Sequence, residues 1–283
     1  MSNLIVVIGA TGGQGGGVVN AFLNEAGWKV RGTTRNTSSE KAKALSAKGV
    51  EVVSANLNDE ESLEKAFQGA TAIFAFTDYY ETFFELGDEK SLELEFAQGQ
   101  KIARAAAKNQ SLQRLVFSAG PHTSMITNGE AICPHLEGKG RIVTYVTQEM
   151  PDLAAKTTFA VFTVFANNAL LYDIFKPIYV VRRATGLAPE EGATAALQIS
   201  PESYVELWGS MAQEQLSQWK FFQWLHDHYP PKWEGITIVE GMDLLTDEDK
   251  KELLSVEESL KRYDWSAFEK KPTAKAVTGR FST

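Results

Sequence analysis

The run Gly9-Ala10-Thr11-Gly12-Gly13-Gln14-Gly15 follows directly on the apolar, β-branched stretch Leu4-Ile5-Val6-Val7-Ile8. Its residue types and spacing suit the cradling of a pyrophosphate by backbone groups. Glycine has no Cβ, so Gly9 can make the tight turn out of a strand, Gly12 lets the main chain touch a phosphate, and Gly15 permits close packing of strand and helix. Val18, Val19, Phe22 and Leu23 continue at helical spacing, which would aim unpaired N–H groups and a positive dipole end at the phosphates. A glycine triplet alone is weak, but here strand, loop and helix arrive in the required order. A bound dinucleotide is expected.

The identity of that dinucleotide turns on the end of the second strand, Lys29-Val30-Arg31-Gly32-Thr33-Thr34-Arg35-Asn36, about twenty residues after the loop. A carboxylate there would hold the adenosine ribose of NAD, and none is present. Arg35 offers a planar, permanently charged fork for a 2′-phosphate, so NADP(H) is expected. A merely solvated Arg35, with Arg31 as the phosphate partner, is the alternative.

These residues need a rigid parallel sheet to position them, and the pattern supplies one. Strands and helices alternate through the first half, as in an α/β, doubly wound Rossmann sheet covered on both faces. Ser38 or Ser39 caps a helix ending near Gly49, and Val50-Glu51-Val52-Val53 is the third strand. Asn58 and Glu61 are placed as a capping box for a helix over residues 60–68, stopped by Gly69. Residues 72–76 form the fourth strand, a long helix lies within 88–108, and residues 114–118 form the fifth strand. Right-handed crossovers bring the carboxyl ends of these strands to one edge, where ligands bind. That edge collects Gly9 to Gly15, Arg35, Asn56-Leu57-Asn58 for the adenine, Thr77-Asp78-Tyr79-Tyr80 for the ribose and nicotinamide side, and Ser118 to Pro121. Asn58 can also serve simply as a helix cap.

Composition restricts the function classes. The chain has 283 residues, 43% hydrophobic and 23% charged, enough for one large domain or a domain with an appended lobe. Its net charge of -8 disfavours direct nucleic-acid binding, which relies on clustered Lys and Arg. The single cysteine, Cys133, fits a reducing compartment and reads as a small packed residue. No targeting segment or membrane anchor is expected, and a cytoplasmic location follows. No His/Cys/carboxylate group has metal-ligand spacing along the chain, so no metal is expected.

The segments Ile8 to Gly16, Thr34-Arg35-Asn36, Thr77-Asp78-Tyr79-Tyr80-Glu81 and His135-Leu136-Glu137-Gly138-Lys139-Gly140 resemble the NmrA-like proteins, atypical members of the short-chain dehydrogenase/reductase superfamily. The resemblance is specific through about residue 150 and looser beyond. It implies an NADP(H)-binding Rossmann domain over residues 1–155 and a smaller C-terminal α/β lobe over 156–283, able to interleave with it. It also implies one of two functions. Some members are reductases or are assigned so in natural-product pathways, whereas others sense NADP and bind transcription factors or enzymes, which would extend the location to the nucleus.

The resemblance focuses the catalytic question on His135 and Lys139. Short-chain reductases place Tyr and Lys four residues apart on one helix face, the tyrosine as proton donor and the lysine holding the nicotinamide ribose. Histidine stands here in the tyrosine position, and it can transfer protons near neutral pH. The resemblance further implies a substrate-polarising role for Ser118, and pocket-lining roles for Phe165 and Asn167, although the Arg-x-Pro turn usual before that segment is absent. His122 follows the same strand as Ser118 and could reach the pocket.

Farther on, Trp208, Met211, Leu216, Trp219, Phe221, Phe222, Trp224 and Leu225 read as an amphipathic helix whose wide apolar face is core, or else a partner groove. Pro230-Pro231 stops it, and residues 243–262 read as a charged helix or helix pair. The sequence therefore predicts an NADP(H)-dependent oxidoreductase for a small, largely apolar carbonyl or enone. The alternative is a non-catalytic NADP(H)-binding regulator of a protein partner.

Overall fold

The computed structural model describes residues 2–162, 200–228, 233, 236–253, 258 and 261. Six parallel strands form one sheet in the order β3-β2-β1-β4-β5-β6, with β1 at Asn3–Val7, β2 at Trp28–Thr34, β3 at Glu51–Ser54, β4 at Ala72–Ala75, β5 at Arg114–Ala119 and β6 at Thr157–Val161. The sheet carries α1 (Gly13–Leu23), α2 (Glu40–Ala47), α3 (Glu60–Phe67), α4 (Tyr80–Lys108), α5 (Thr123–Ile126), α6 (Pro134–Glu149) and α7 (Pro151–Ala154). This is the doubly wound arrangement the alternating pattern predicts.

Strand periodicity explains why both faces are covered. Val6 and Ile8 turn to one face, where they join Leu63, Phe67, Ile73, Ile102, Phe117 and Ile142 beneath α3, α4 and α6. Ile5 and Val7 turn to the other, against Val19, Val30, Val50 and Phe74 beneath α1 and α2. Alternate residues of one strand thus feed two cores, the signature of a fully buried parallel strand.

Local signals place most boundaries, with two differences. Ser39 caps α2 by accepting from Ala42 N at 3.2 Å, one of the two serines expected there. The cap of α3 is Asp59, which accepts from Ser62 N at 3.2 Å, rather than Asn58, whose carboxamide oxygen accepts from Gln98 Nε2 at 3.2 Å. The fourth helix begins at Tyr80, eight residues before the expected start, because a break at Gly87 (φ 74°) separates a leading turn from the long body.

The chain divides into two compact units, residues 1–162 with 213–236, and residues 163–212 with 237–283. The boundary expected near residue 155 falls inside the first unit because β6 lies beyond it and pairs with β5, Leu115 opposite Thr157 through Ala119 opposite Val161. The predicted aromatic helix is present as α8 (Pro201–Asp227), interrupted at Gly209 (φ 61°). Its Phe221 is 2% exposed and packs with Ala131 and Cys133, whereas Trp219 is 46% exposed. Of the charged segment, α9 (Asp247–Glu252) is described.

Candidate functional site

The strand order reverses between β1 and β4, and the crevice at their carboxyl ends is where open α/β sheets take ligands. Sterics dictate the glycines there. Gly9 has φ +60°, and a Cβ on it would lie 2.5 Å from the Phe76 ring. A Cβ on Gly15 would lie 2.5 Å from the Gly9 carbonyl oxygen, so only glycine lets α1 start so close to β1. Helix α1 opens on Gly12, which has no side chain to cap the first turn. The N–H groups of Gly13, Gln14 and Gly15 have no intrahelical acceptor and point out of the helix end. Gly12 and Gly13 are exposed, and Thr11 and Gln14 are half-buried. Ala10 is buried, and its N–H is occupied by the Thr33 carbonyl at 3.3 Å. A Cβ-free cradle with uncapped N–H groups fits a pyrophosphate.

Gln14 Nε2 donates to Ser118 Oγ at 2.9 Å, tying the phosphate loop to the end of β5. Ser118 is buried and its hydroxyl is held by this loop. At the end of β2 the Arg35 guanidinium is 71% exposed and paired with Glu81, in the first turn of α4. Arg31 is committed elsewhere. It pairs with Glu51 at 3.0 Å and donates to the carbonyls of Ala66 and Gln68 at 2.9 and 2.8 Å. Arg35 is therefore the arginine left for a 2′-phosphate.

Asn56 is exposed after β3, and its side chain folds back to accept from Asn58 N at 2.9 Å, with Leu57 half-buried between them. Asp78 is exposed and caps the backbone of Tyr80 at 3.1 Å. Two neighbours expected at the cofactor are instead interior. Thr77 is 3% exposed. Tyr79 is 1% exposed, stacks on Phe83 and donates its hydroxyl to Asp88 at 2.6 Å, because the turn after β4 folds its apolar ring inward.

Lys139 and His135 lie one turn apart on α6, as their spacing predicts, and each meets a buried carboxylate. Lys139 Nζ pairs with Glu95 of α4, which also accepts from Thr77 Oγ1 at 2.8 Å. Glu95 is 1% exposed. A Cβ on Gly138 would stand 2.6 Å from Glu95 Oε2, so this glycine beside the lysine makes room for the acid. His135 Nδ1 pairs with Glu214 of α8, itself 1% exposed. Tyr80 donates its hydroxyl to the other Glu214 oxygen at 2.7 Å. Burial and the Glu214 charge push the Tyr80 phenol far up, so it stays protonated as a donor.

Cys133 Sγ lies 3.4 Å from His135 Nδ1. The donor atoms of Cys133, His135 and Glu214 fall within 4.8 Å of one another, near enough for a metal ion. Chain spacing could not have predicted this group, since Glu214 comes from another helix 79 residues away. His135 Nδ1 faces both other groups, and burial together with Glu214 pushes the Cys133 thiol up to about 12.

His122 does not join this cluster. Its Nδ1 lies 2.7 Å from Thr144 Oγ1 and its Nε2 3.3 Å from Glu137. Burial opposes the Glu137 charge, but bonds from His122, the Ser124 side chain and N–H, and Thr123 outweigh it and hold the carboxyl down to about 2. A depressed folded pKa contributes stability that is present above the unfolded value and lost as pH falls through the folded one. We expect Glu137 to contribute roughly 3 kcal/mol that disappears between about pH 4.5 and pH 2. Urea unfolding of Glu137→Gln and the native chain at pH 7 and pH 3 checks this. The difference should be large at pH 7 and shrink at pH 3, and a constant difference contradicts it.

Three acidic residues of the site escaped sequence reading, yet two carry a signal. Glu95 sits in the buried α4 stripe with Ser91, Gln98, Gly99 and Ile102. Glu214 stands one heptad before buried Phe221. A charge at a helix's apolar register is the mark of a buried ion pair. Glu81 has no such signal, because its pairing depends on how α4 begins. Phe165 and Asn167 lie outside the described residues.

Residues 1–180 match the profile of the NmrA-like family. An NmrA-like family domain-containing oxidoreductase, cpsB, from Aspergillus campestris is 36% identical over 142 residues, covering 50% of this chain and 41% of that protein. The solved structure of NmrA, a negative transcriptional regulator, in complex with NADP is similar at TM-score 0.50 and 25% identity, over 62% of this chain and 50% of that one. The same regulator in complex with NAD gives TM-score 0.51 at 25% identity, again over 62% and 50%. The match thus spans half or less of these relatives' own length. No described helix is long and apolar enough to cross a membrane.

Proposed function

The chain belongs to the NmrA-like family, and on that premise we propose that it binds NADP(H) at the carboxyl edge of its sheet and reduces a small, largely apolar carbonyl or enone. The observation that carries this reading is the pairing of His135 and Lys139 on one face of α6, each with its own buried carboxylate. Gly9 to Gly15 and the start of α1 would hold the pyrophosphate, Arg35 the 2′-phosphate, and Lys139 the nicotinamide ribose. When bound, the nicotinamide supplies the hydride. His135 supplies the proton, and Lys139 adds positive charge where the product oxygen would turn negative. The oxidoreductase description of the Aspergillus relative supports this reading.

NADPH oxidation against quinones, enones and aromatic ketones tests it. Turnover that requires His135 is expected, and no turnover on any of them overturns the oxidoreductase. A regulator that changes protein partner with cofactor state is the second reading, favoured by histidine in the tyrosine position and by the likeness to NmrA. Pull-downs of a protein partner with NADP⁺ and with NADPH separate it from the first.

Cofactor entry at Arg35 must displace Glu81. An exposed pair is worth about 0.2–1 kcal/mol, so Glu81→Gln should tighten NADPH binding by up to about fivefold and leave NADH unchanged. Calorimetric titration of both cofactors checks it, and unchanged NADPH affinity rules out competition.

A further inference from the structure

We propose that Glu214 is the positioning residue of a proton-donating dyad, gripping the Nδ1–H of His135 so that Nε2 is the nitrogen that gives its proton to the substrate oxygen; this rests on the oxidoreductase reading above. Glu214 is a carboxylate buried in α8, and a buried charge is tolerated only when paired and hydrogen-bonded. Every described contact it makes is with a donor: His135 Nδ1 on one oxygen, and Tyr80 Oη at 2.7 Å and Gln215 Nε2 at 3.2 Å on the other. Of these described partners, the one able to become a cation is the imidazole. An acceptor on Nδ1 fixes which ring nitrogen carries the held hydrogen and leaves Nε2 as the nitrogen that can serve a substrate oxygen.

The ring is fixed from several sides. Tyr80, the first residue of α4, lies against it at 5.6 Å between centroids, and Tyr79, just before that helix, at 6.3 Å. Cys133 Sγ is 3.4 Å from Nδ1, and Lys139 Nζ donates to the His135 carbonyl at 3.4 Å while facing Glu95. These are the titratable groups that the described contacts place around His135, and burial pushes both phenols and the thiol up. No described hydrogen bond reaches Nε2, and the His135 side chain keeps 12% of its surface exposed. In the step itself, the Nε2–H bond breaks as a new O–H bond forms on the substrate oxygen. The imidazolium becomes a neutral imidazole that retains Nδ1–H on Glu214, and water restores the Nε2 proton. A carboxylate that orients a histidine and steadies its cation is the general logic of acid–base dyads.

Imidazole ¹⁵N spectra of the full-length chain, with His135 assigned by comparison with His135→Gln, test the dyad without turnover. Neutral His135 should be the Nδ1–H tautomer in the native chain and a mixture in Glu214→Leu. In the quinone and enone assay, Glu214→Gln, which keeps the acceptor oxygen and removes the charge, should lower kcat at least tenfold with KM nearly unchanged. Glu214→Asp should recover part of the rate. A native Nε2–H tautomer, or kcat unchanged in Glu214→Gln while only Tm falls, overturns the proposal and leaves Glu214 as a structural tie. Stoichiometric zinc in the purified chain, lost in Cys133→Ser, also overturns it by making Nδ1 a metal ligand. An intact Nδ1–H tautomer that depends on Glu214, in a chain that turns over nothing, supports the positioning pair and counts against the oxidoreductase alone.

Discussion

Lys139→Met is expected to destabilise the chain by about 3–5 kcal/mol, lowering Tm by roughly 10 °C. The loss comes from Glu95, not from the lysine. Glu95 is 1% exposed, its Oε1 takes Lys139 and Thr77, and its Oε2 has no hydrogen-bond partner among the described residues. Removing the ammonium leaves a buried carboxylate whose remaining described hydrogen bond is one threonine hydroxyl, and that charge is uncompensated. Glu95→Gln in the same background removes the stranded charge and should restore most of the stability. Glu95→Gln alone should cost less, since Lys139 keeps 18% of its side chain exposed and can turn its charge toward water.

The double variant also separates structure from function. If Lys139 holds the nicotinamide ribose, NADPH affinity stays low after stability returns. Thermal and urea unfolding of the four chains, with NADPH titration of each, decides both points. A Lys139→Met chain within 1 kcal/mol of native would mean that Glu95 is already solvated or protonated.

What the sequence reveals here depends on the range over which each cause acts. Gly15 is legible because its constraint is local: the carbonyls of Ile8 and Gly9 that it avoids belong to the strand and loop just before it, whereas the Phe76 ring that excludes a Cβ on Gly9 arrives only when β4 packs beside β1. The five strand-helix repeats are legible because period-2 and period-3.6 patterns belong to each element separately. His135 and Lys139 are legible as a pair because four residues on one helix make one face. Their partners are not, since Glu95 and Glu214 come 44 and 79 residues away and reach α6 only after α4 and α8 have packed. The place of Tyr79 after a strand predicts a residue at the ligand edge, but not that its ring packs against Phe83, which is set by the way the β4–α4 turn folds.

Arg35→Asp should invert cofactor choice, lowering NADPH affinity about 100-fold or more while leaving NADH binding little changed. The likeness to NmrA does not decide the preference, because that regulator has been solved with both NAD and NADP. On the proposed reading, the residue at the end of β2 decides it. A charge-assisted contact to a phosphate is worth about 1.5–3 kcal/mol, and the native chain should prefer NADPH by at least tenfold, about 1.4 kcal/mol. The substitution removes that contact and sets a second carboxylate beside Glu81, so the 2′-phosphate meets two like charges. Arg31 cannot replace Arg35, since leaving Glu51 and the carbonyls of Ala66 and Gln68 would break its own ion pair and hydrogen bonds. Because the Arg35 side chain is 71% exposed, the native preference should also shrink as salt rises, the Debye length falling from ~10 Å at 0.1 M to ~3 Å at 1 M. Titration of both cofactors at two ionic strengths measures all of this. Equal affinities in the native chain, or a preference for NADPH that survives Arg35→Asp, would remove the phosphate from Arg35.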